Sequence, residues 1–421
     1  MPPSESLVLT FEDARRMVEE HARNLRPRGR ELLALIDAMG RVLAEPIHAD
    51  RDIPPFRRAT RDGYALRAED VENLPAQLEV IGEIKAGANV NGIPPLQAGQ
   101  AFAIMTGAPV PNGADAVLMV EHTSRRENRI EITKSVAACE NIVPVGAEGS
   151  REELLLPPGT RMDYAAIAVA AAVGRPRMVV YGRPKVAVLS TGDEVVDIDV
   201  PPDPHQIRNS NSHSLAAQIN SAGGEAVILP IAPDEPVRLR ELLAEALEYD
   251  LVLIAGGVSM GKYDLVEQEL AALQAEFFFT AVSIQPGKPL VFGRIACGAE
   301  PLATNGSPQQ KYFFGLPGNP VSTMVTFELF AKPLVQALAG SSPQPLAFLH
   351  AKLKTSLQKK TGLRRFLPAQ LSGEFENAQV ELSPWQGSGD IAAVVRSNCF
   401  LVVPPDRERM EAGEWVAVLL R

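Results

Sequence analysis

Apolar positions along the chain change spacing from region to region, and each spacing predicts a different element. "TFEDARRMVEEHARN" (Thr10 to Asn24) places Ala14, Met17, Val18 and His21 on one helical face. Thr10 stands at its cap and Asp13 where a capping-box acid belongs. "YAAIAVAAAVG" predicts a packed helix from Asp163 to Val173, capped by Asp163 and stopped by Gly174, with Pro176 beyond. From about Ile47 to Val143, short apolar runs alternate with Gly, Pro and Asn clusters, a β-rich texture. That predicts an all-β insert within a helical segment.

Beyond Arg183 the pattern changes again. "PKVAVLS", "EAVILPI", "DLVLIAGG" and "KYFFG" are short buried-strand runs, and helical segments Ser212–Ala222 and Glu235–Leu247 separate the first three. Such alternation predicts a parallel sheet with helices on both faces. The stretch "FFGLPGNPVSTMVTFELF" closes this region. Pro317-Gly318 is a turn signal, Asn319 a cap, and Pro320 suits the first helical position. Val321, Val325, Leu329 and Leu334 carry the helix to about Leu338. A strand, a tight corner and a helix start in sequence would offer free backbone N–H groups to an anion. After Leu346 the runs "AKLKTSL", "RRFLPAQL", "QVELSPW", "FLVVPP" and "EWVAVLLR" predict a small barrel or sandwich.

Composition narrows the function classes. The chain has 421 residues, room for about three domains, and an apolar content of 46%. Its formal charge of −10 argues against nucleic-acid binding, which needs a basic footprint. Cys139, Cys297 and Cys399 lie far apart, so neither a disulfide framework nor a zinc site is indicated, which fits a reducing cytoplasm. The six histidines form no metal-binding pair. "MPPSESLVLTFEDARR" lacks the features of a secretory signal, and no apolar run is long enough to cross a membrane.

The chemistry gathers after the strands of the α/β region, where ligands of such sheets bind. "TGDEVVD", "APDEPVR", "VSMGKYD" and "LPGNPVS" supply the carboxylates Asp193, Glu194, Asp234 and Asp264. They also supply Gly192, Gly256, Gly257, Ser259 and Gly318, small residues that let a ligand approach the backbone. Several carboxylates beside an anion nest call for a divalent cation, and Mg²⁺ is the natural candidate.

The motifs "RDGYA", "MTGAPVPNGADAV", "LSTGDEV", "AGGVSMGKYD", "QPGKPL" and "GLPGNPVS" together resemble the molybdopterin molybdenumtransferases, the MoeA family that includes the gephyrin E domain. The resemblance implies a multidomain α/β plus β architecture in four parts. A mixed, discontinuous N-terminal domain (1–46 and 144–180) would enclose a β-rich inserted domain (47–143). A three-layer α/β molybdopterin-binding domain (181–342) and a C-terminal small β-barrel (343–421) would follow. It implies a cytoplasmic homodimer with a cleft shared between subunits, and transient contact with other cofactor-biosynthesis proteins. The implied reaction inserts molybdate into adenylylated molybdopterin and releases AMP with the help of Mg²⁺. Adenylyl transfer to molybdopterin and non-catalytic carriage of the pterin are the alternatives.

Carried over residue by residue, Glu194, Asp234 and Asp264 would hold Mg²⁺ and orient the attacking water, with Asp193 beside them. Asp62 and Thr106 would close the cleft from the partner subunit. Lys288, Ser322 and Ser388 would form a molybdate pocket, with Pro317 and Pro320 as its rigid corner and Gly318 and Asn319 between them. This chain also departs from the family pattern. Arg61 replaces an apolar residue, a basic loop has become "NIVPVGAEGS", and "KPGKP" has become "QPGKP". Arg61, Arg364 and Arg365 are the candidates to replace the lost cations, with Arg364 the substrate-binding choice.

Overall fold

The structure is a computed structural model, and it describes residues 7–257, 265–297, 309–342 and 344–421. The chain folds as two compact units, residues 1–33, 40–44 and 179–421, and residues 34–39 and 45–178.

The first unit is organised around a seven-stranded sheet among the described residues. Four parallel strands form one half in the order Glu225–Ile228, Lys185–Ser190, Leu251–Ala255 and Gln309–Leu316. These are the four buried-strand runs read from the sequence. Both faces are covered, which explains why the runs are continuously apolar rather than alternating. Helices Phe11–Asn24 and Ser210–Ser221 and the helical segment 320–338 share a core with one face, and Phe314, Phe327 and Phe330 fill it. Pro236–Ala246 and Leu265–Ala272 cover the other face through Leu239, Leu242 and Leu270.

The sheet is wider than its sequence pattern suggests. Glu276–Val282 and Pro289–Cys297 add antiparallel strands, and Val8–Leu9 pairs in parallel at the edge. Their apolar residues follow no simple alternation, because Phe279 and Phe292 are buried in the core while Phe277 and Phe278 pack at its margins.

The expected caps are formed. Thr10 Oγ1 accepts from Asp13 N–H at 3.1 Å, and Asp163 Oδ1 accepts from Ala166 N–H at 2.8 Å. The helix begun at Pro320 passes through a π-helical turn at Phe327–Ala331 before ending at Leu338. Five strands, Phe348–Leu353, Arg364–Ser372, Gln379–Leu382, Cys399–Val403 and Trp415–Leu420, pair in a closed ring, the C-terminal barrel. Closure leaves no free edge among them.

In the second unit, a six-stranded sheet of residues 63–132 packs apolar side chains on both faces. This is the β-rich texture of the sequence. Helix Tyr164–Ala172 is capped by Asp163 but buries only Ala166 and Ala170. Among the described residues, no helix is long and apolar enough to cross a membrane.

Candidate active site

The carboxyl ends of the parallel strands open into a cleft of about 1250 Å³ within the first unit. Each strand contributes the loop that follows it. Gly192 and Glu194 come after Lys185–Ser190, Asp234 after Glu225–Ile228, Gly256 and Gly257 after Leu251–Ala255, and Pro317 to Pro320 after Gln309–Leu316. Lys288, Ser322 and Ser388 line the same cleft.

Short contacts lock these loops together. Asp193 Oδ1 accepts the backbone N–H of Asp234 at 3.0 Å, joining two acid-bearing loops. Asn211 Nδ2 donates to Gly318 O at 2.7 Å, tying a helix start to the Pro317–Pro320 corner. Gly287 lies in the left-handed region at φ +99°, and a Cβ there would stand 2.4 Å from Thr326 Cγ2. Glycine therefore lets the Gln285–Pro289 loop lie flat on the helix that carries Ser322, and brings Lys288 to the cleft.

The acids repel one another. Partial desolvation, then the charges of Asp193 and Glu194, push the Asp234 carboxyl above its usual range, against the lowering effect of a hydrogen bond from the Asp193 backbone. A Cβ on Gly192 would meet Glu194 Oε2 at 2.5 Å, so the bare Gly192 backbone accommodates that carboxylate.

Several expectations need correction. The helix start at Pro320 is only partly open to an anion, since Pro320 has no N–H and Val321 N–H donates to Ser388 O at 2.9 Å. Asn319 holds the cap position, but its side chain makes no capping bond. Arg364 does not line the cleft. Its guanidinium pairs with Glu12 at 2.5 Å and lies 5.3 Å from the Phe11 ring centre. Asp193 ties the loops together and does not line the cleft itself. Ser259 and Asp264 lie outside the described residues.

Asp62 and Thr106 belong to the second unit, where Asp62 Oδ1 accepts from Thr106 N–H at 2.6 Å. That bond, followed by one from the Thr106 side chain, holds the Asp62 carboxyl below its usual range.

Further residues at or beside the cleft include some outside the sequence motifs, Arg208 among them. Arg208 and Gln285 line the cleft. Arg365 is buried, and its Nε donates to Gln285 Oε1 at 2.7 Å, which fixes that amide. Ser190, Asn209 and Ser212 form a buried hydrogen-bonded trio beneath the start of helix Ser210–Ser221, with Asn209 as its cap. The polar run "RNSNS" before a helix would have been the clue, since cap residues cluster there.

Comparisons with known proteins agree over nearly the whole chain. The MoeA N-terminal region (domains I and II) matches residues 9–174. A family described as a probable molybdopterin binding domain matches residues 187–337, and the MoeA C-terminal region (domain IV) matches residues 350–420. A molybdopterin molybdenumtransferase of Nostoc sp. is 35% identical, over 92% of this chain and 88% of the relative. One from Staphylococcus epidermidis is 32% identical, over 92% and 90%. The crystal structure of the molybdopterin biosynthesis MoeA protein of Pyrococcus horikoshii OT3 superposes with a TM-score of 0.75 at 29% identity, covering 98% of this chain and 100% of that one. The chain belongs to the MoeA family, the molybdopterin molybdenumtransferases of molybdenum cofactor biosynthesis.

Proposed function

We propose that this cleft inserts molybdate into adenylylated molybdopterin and releases AMP. The observation that carries the reading is the meeting of Glu194 and Asp234 with Lys288, Ser322 and Ser388 in one cavity. A passive pterin carrier gains nothing from crowded carboxylates. A hydrolytic step can use them.

The cavity lining divides the work. Lys288 and the hydroxyls of Ser322 and Ser388 suit a tetrahedral oxyanion, since a cation and O–H donors match its oxygens. Molybdate bound there meets the dithiol of the pterin. Two Mo–S bonds form, and one oxide of molybdate leaves as water with the two thiol protons. At the acidic end a water attacks the adenylate phosphorus, the pyrophosphate P–O bond breaks, and the proton passes to a carboxylate.

Glu194 and Asp234 would hold Mg²⁺, with Asp264 as the further ligand suggested by family resemblance. The donors present fit that ion. They are hard carboxylate oxygens, and the repulsion by Asp193 and Glu194 that adds to desolvation in raising Asp234 is what a divalent cation would relieve. Among the described residues, no three His, Cys, Asp or Glu side chains close on one point. Mg²⁺ tolerates this, as it commonly keeps several waters and takes one or two protein carboxylates plus ligand phosphates. When bound, it would neutralise charge on the phosphate oxygens.

The reading extends to a cytoplasmic homodimer in which Asp62 and Thr106 serve the partner's cleft. The exposed apolar side of helix Tyr164–Ala172, with Tyr164 80% exposed, supports self-association. Purified protein given adenylylated molybdopterin, Mg²⁺ and molybdate tests the activity. Molybdate-dependent release of AMP supports the proposal. Binding without turnover, or adenylate formation from ATP and molybdopterin, refutes it.

A further inference from the structure

An anionic substrate in an acid-lined cleft needs compensating cations, and this chain lacks several that its family resemblance leads one to expect. The arginines of this chain differ in where they stand. Arg364 is engaged by Glu12 and Phe11, away from the cleft. Arg365 is buried and bonded to Gln285 Oε1 and Leu363 O. Arg61 belongs to the other compact unit. Among the described residues, the cationic side chains lining the cleft are Lys288 and Arg208.

Arg208 is held at a defined position. Val195–Val196 and Ile207–Arg208 pair as two short parallel strands, with Val196 opposite Arg208. Ile207 N–H donates to Glu194 O at 2.8 Å, and Asn209 N–H donates to Val196 O at 2.8 Å. The backbone on either side of Arg208 is thus tied to the loop that carries Glu194. The next residue, Asn209, is fixed in the buried Ser190–Asn209–Ser212 trio. No carboxylate is paired with the Arg208 guanidinium among the described residues. A planar, permanently charged fork carried by a fixed backbone, beside acids and without an ion-pair partner among the described residues, is suited to bidentate capture of a phosphate oxyanion.

We infer that Arg208 binds a phosphate group of the substrate, at the acidic end of the cleft, and that Lys288 serves the molybdate. The inference rests on the proposed function for the identity of the substrate. Its test stands apart from turnover. Binding of AMP, adenosine and molybdate is measured by calorimetry for the wild-type protein and for Arg208→Ala, Arg208→Lys and Lys288→Ala.

Loss of a charge-assisted hydrogen bond predicts AMP binding weaker by about ten- to a hundredfold in Arg208→Ala. Arg208→Lys restores part of it. Adenosine and molybdate affinities stay at wild-type values in both Arg208 variants. Arg208 is exposed, so its removal leaves the thermal midpoint unchanged. AMP affinity insensitive to Arg208→Ala overturns the inference. So does an equal loss for AMP and adenosine, or wild-type protein that does not bind AMP at all. If AMP binding depends on Arg208 while molybdate-dependent AMP release is absent, the proposed function fails and the phosphate site stands.

Discussion

Asp193 Oδ1 accepts the backbone N–H of Asp234 at 3.0 Å, so one acid of the cleft region positions the loop that carries another. The bond needs an acceptor oxygen and does not need the negative charge. Asp193→Asn can keep it, whereas Asp193→Ala removes it. AMP release should therefore fall about tenfold or more in Asp193→Ala and stay near wild type in Asp193→Asn. Equal loss in both variants would mean that the charge of Asp193 matters and its hydrogen bond does not.

Asp234 gives a prediction of opposite sign for stability and activity. Its carboxyl pKa is raised in the folded protein, so the fold favours the protonated form. The folded state then binds more protons than the unfolded one. Stability associated with this group is present below the unfolded pKa and falls as pH rises through the folded pKa. At pH 7 without Mg²⁺, Asp234→Asn should raise the melting temperature slightly, because the side chain is exposed and solvent screens much of the repulsion. AMP release should be lost. Thermal scans from pH 4 to 8 check the first part, and a lower melting temperature in the variant would contradict it.

Gly192 adopts φ +130°, and a Cβ there would meet Glu194 Oε2 at 2.5 Å. Gly192→Ala should cost about 1–3 kcal/mol in backbone strain. The Glu194 carboxylate must also swing away, so Mg²⁺-dependent turnover should fall further than stability alone explains. Titrating Mg²⁺ in the AMP-release assay checks this, with a rise in the concentration for half-maximal rate expected.

Arg365 joins the barrel to the cleft lining through Gln285. Arg365→Ala removes a part-buried, charge-assisted bond to the exposed Gln285, at a cost of about 1–3 kcal/mol. Denaturant unfolding should show that loss. Arg365→Lys should recover only part, since a lysine cannot reproduce the guanidinium's bonds to both Gln285 and Leu363 O.

Much of the scaffold was legible because its signals are local. Thr10 and Asp163 cap helices from within three residues of their partners, and the parallel strands announce themselves as uninterrupted apolar runs. The barrel strands were also readable one at a time. Long-range choices were not. Nothing near Arg364 in sequence reveals that Glu12 and Phe11 will occupy it. Nor does the "LPGNPVS" corner disclose that Ser388 will accept the Val321 N–H. The antiparallel strands Glu276–Val282 and Pro289–Cys297 escaped because a strand spanning a core and its margin need not alternate cleanly. The acids of the cleft were legible as types and spacings, and their mutual repulsion became visible only once the loops converged.

The most direct test of the account is AMP release from adenylylated molybdopterin by wild-type protein and by the Glu194→Gln, Asp234→Asn double variant, with and without molybdate. Release by wild type should depend on both molybdate and Mg²⁺, and none above background should come from the variant while the pterin still binds. Unchanged release from the double variant would show that these two carboxylates do not serve the transfer.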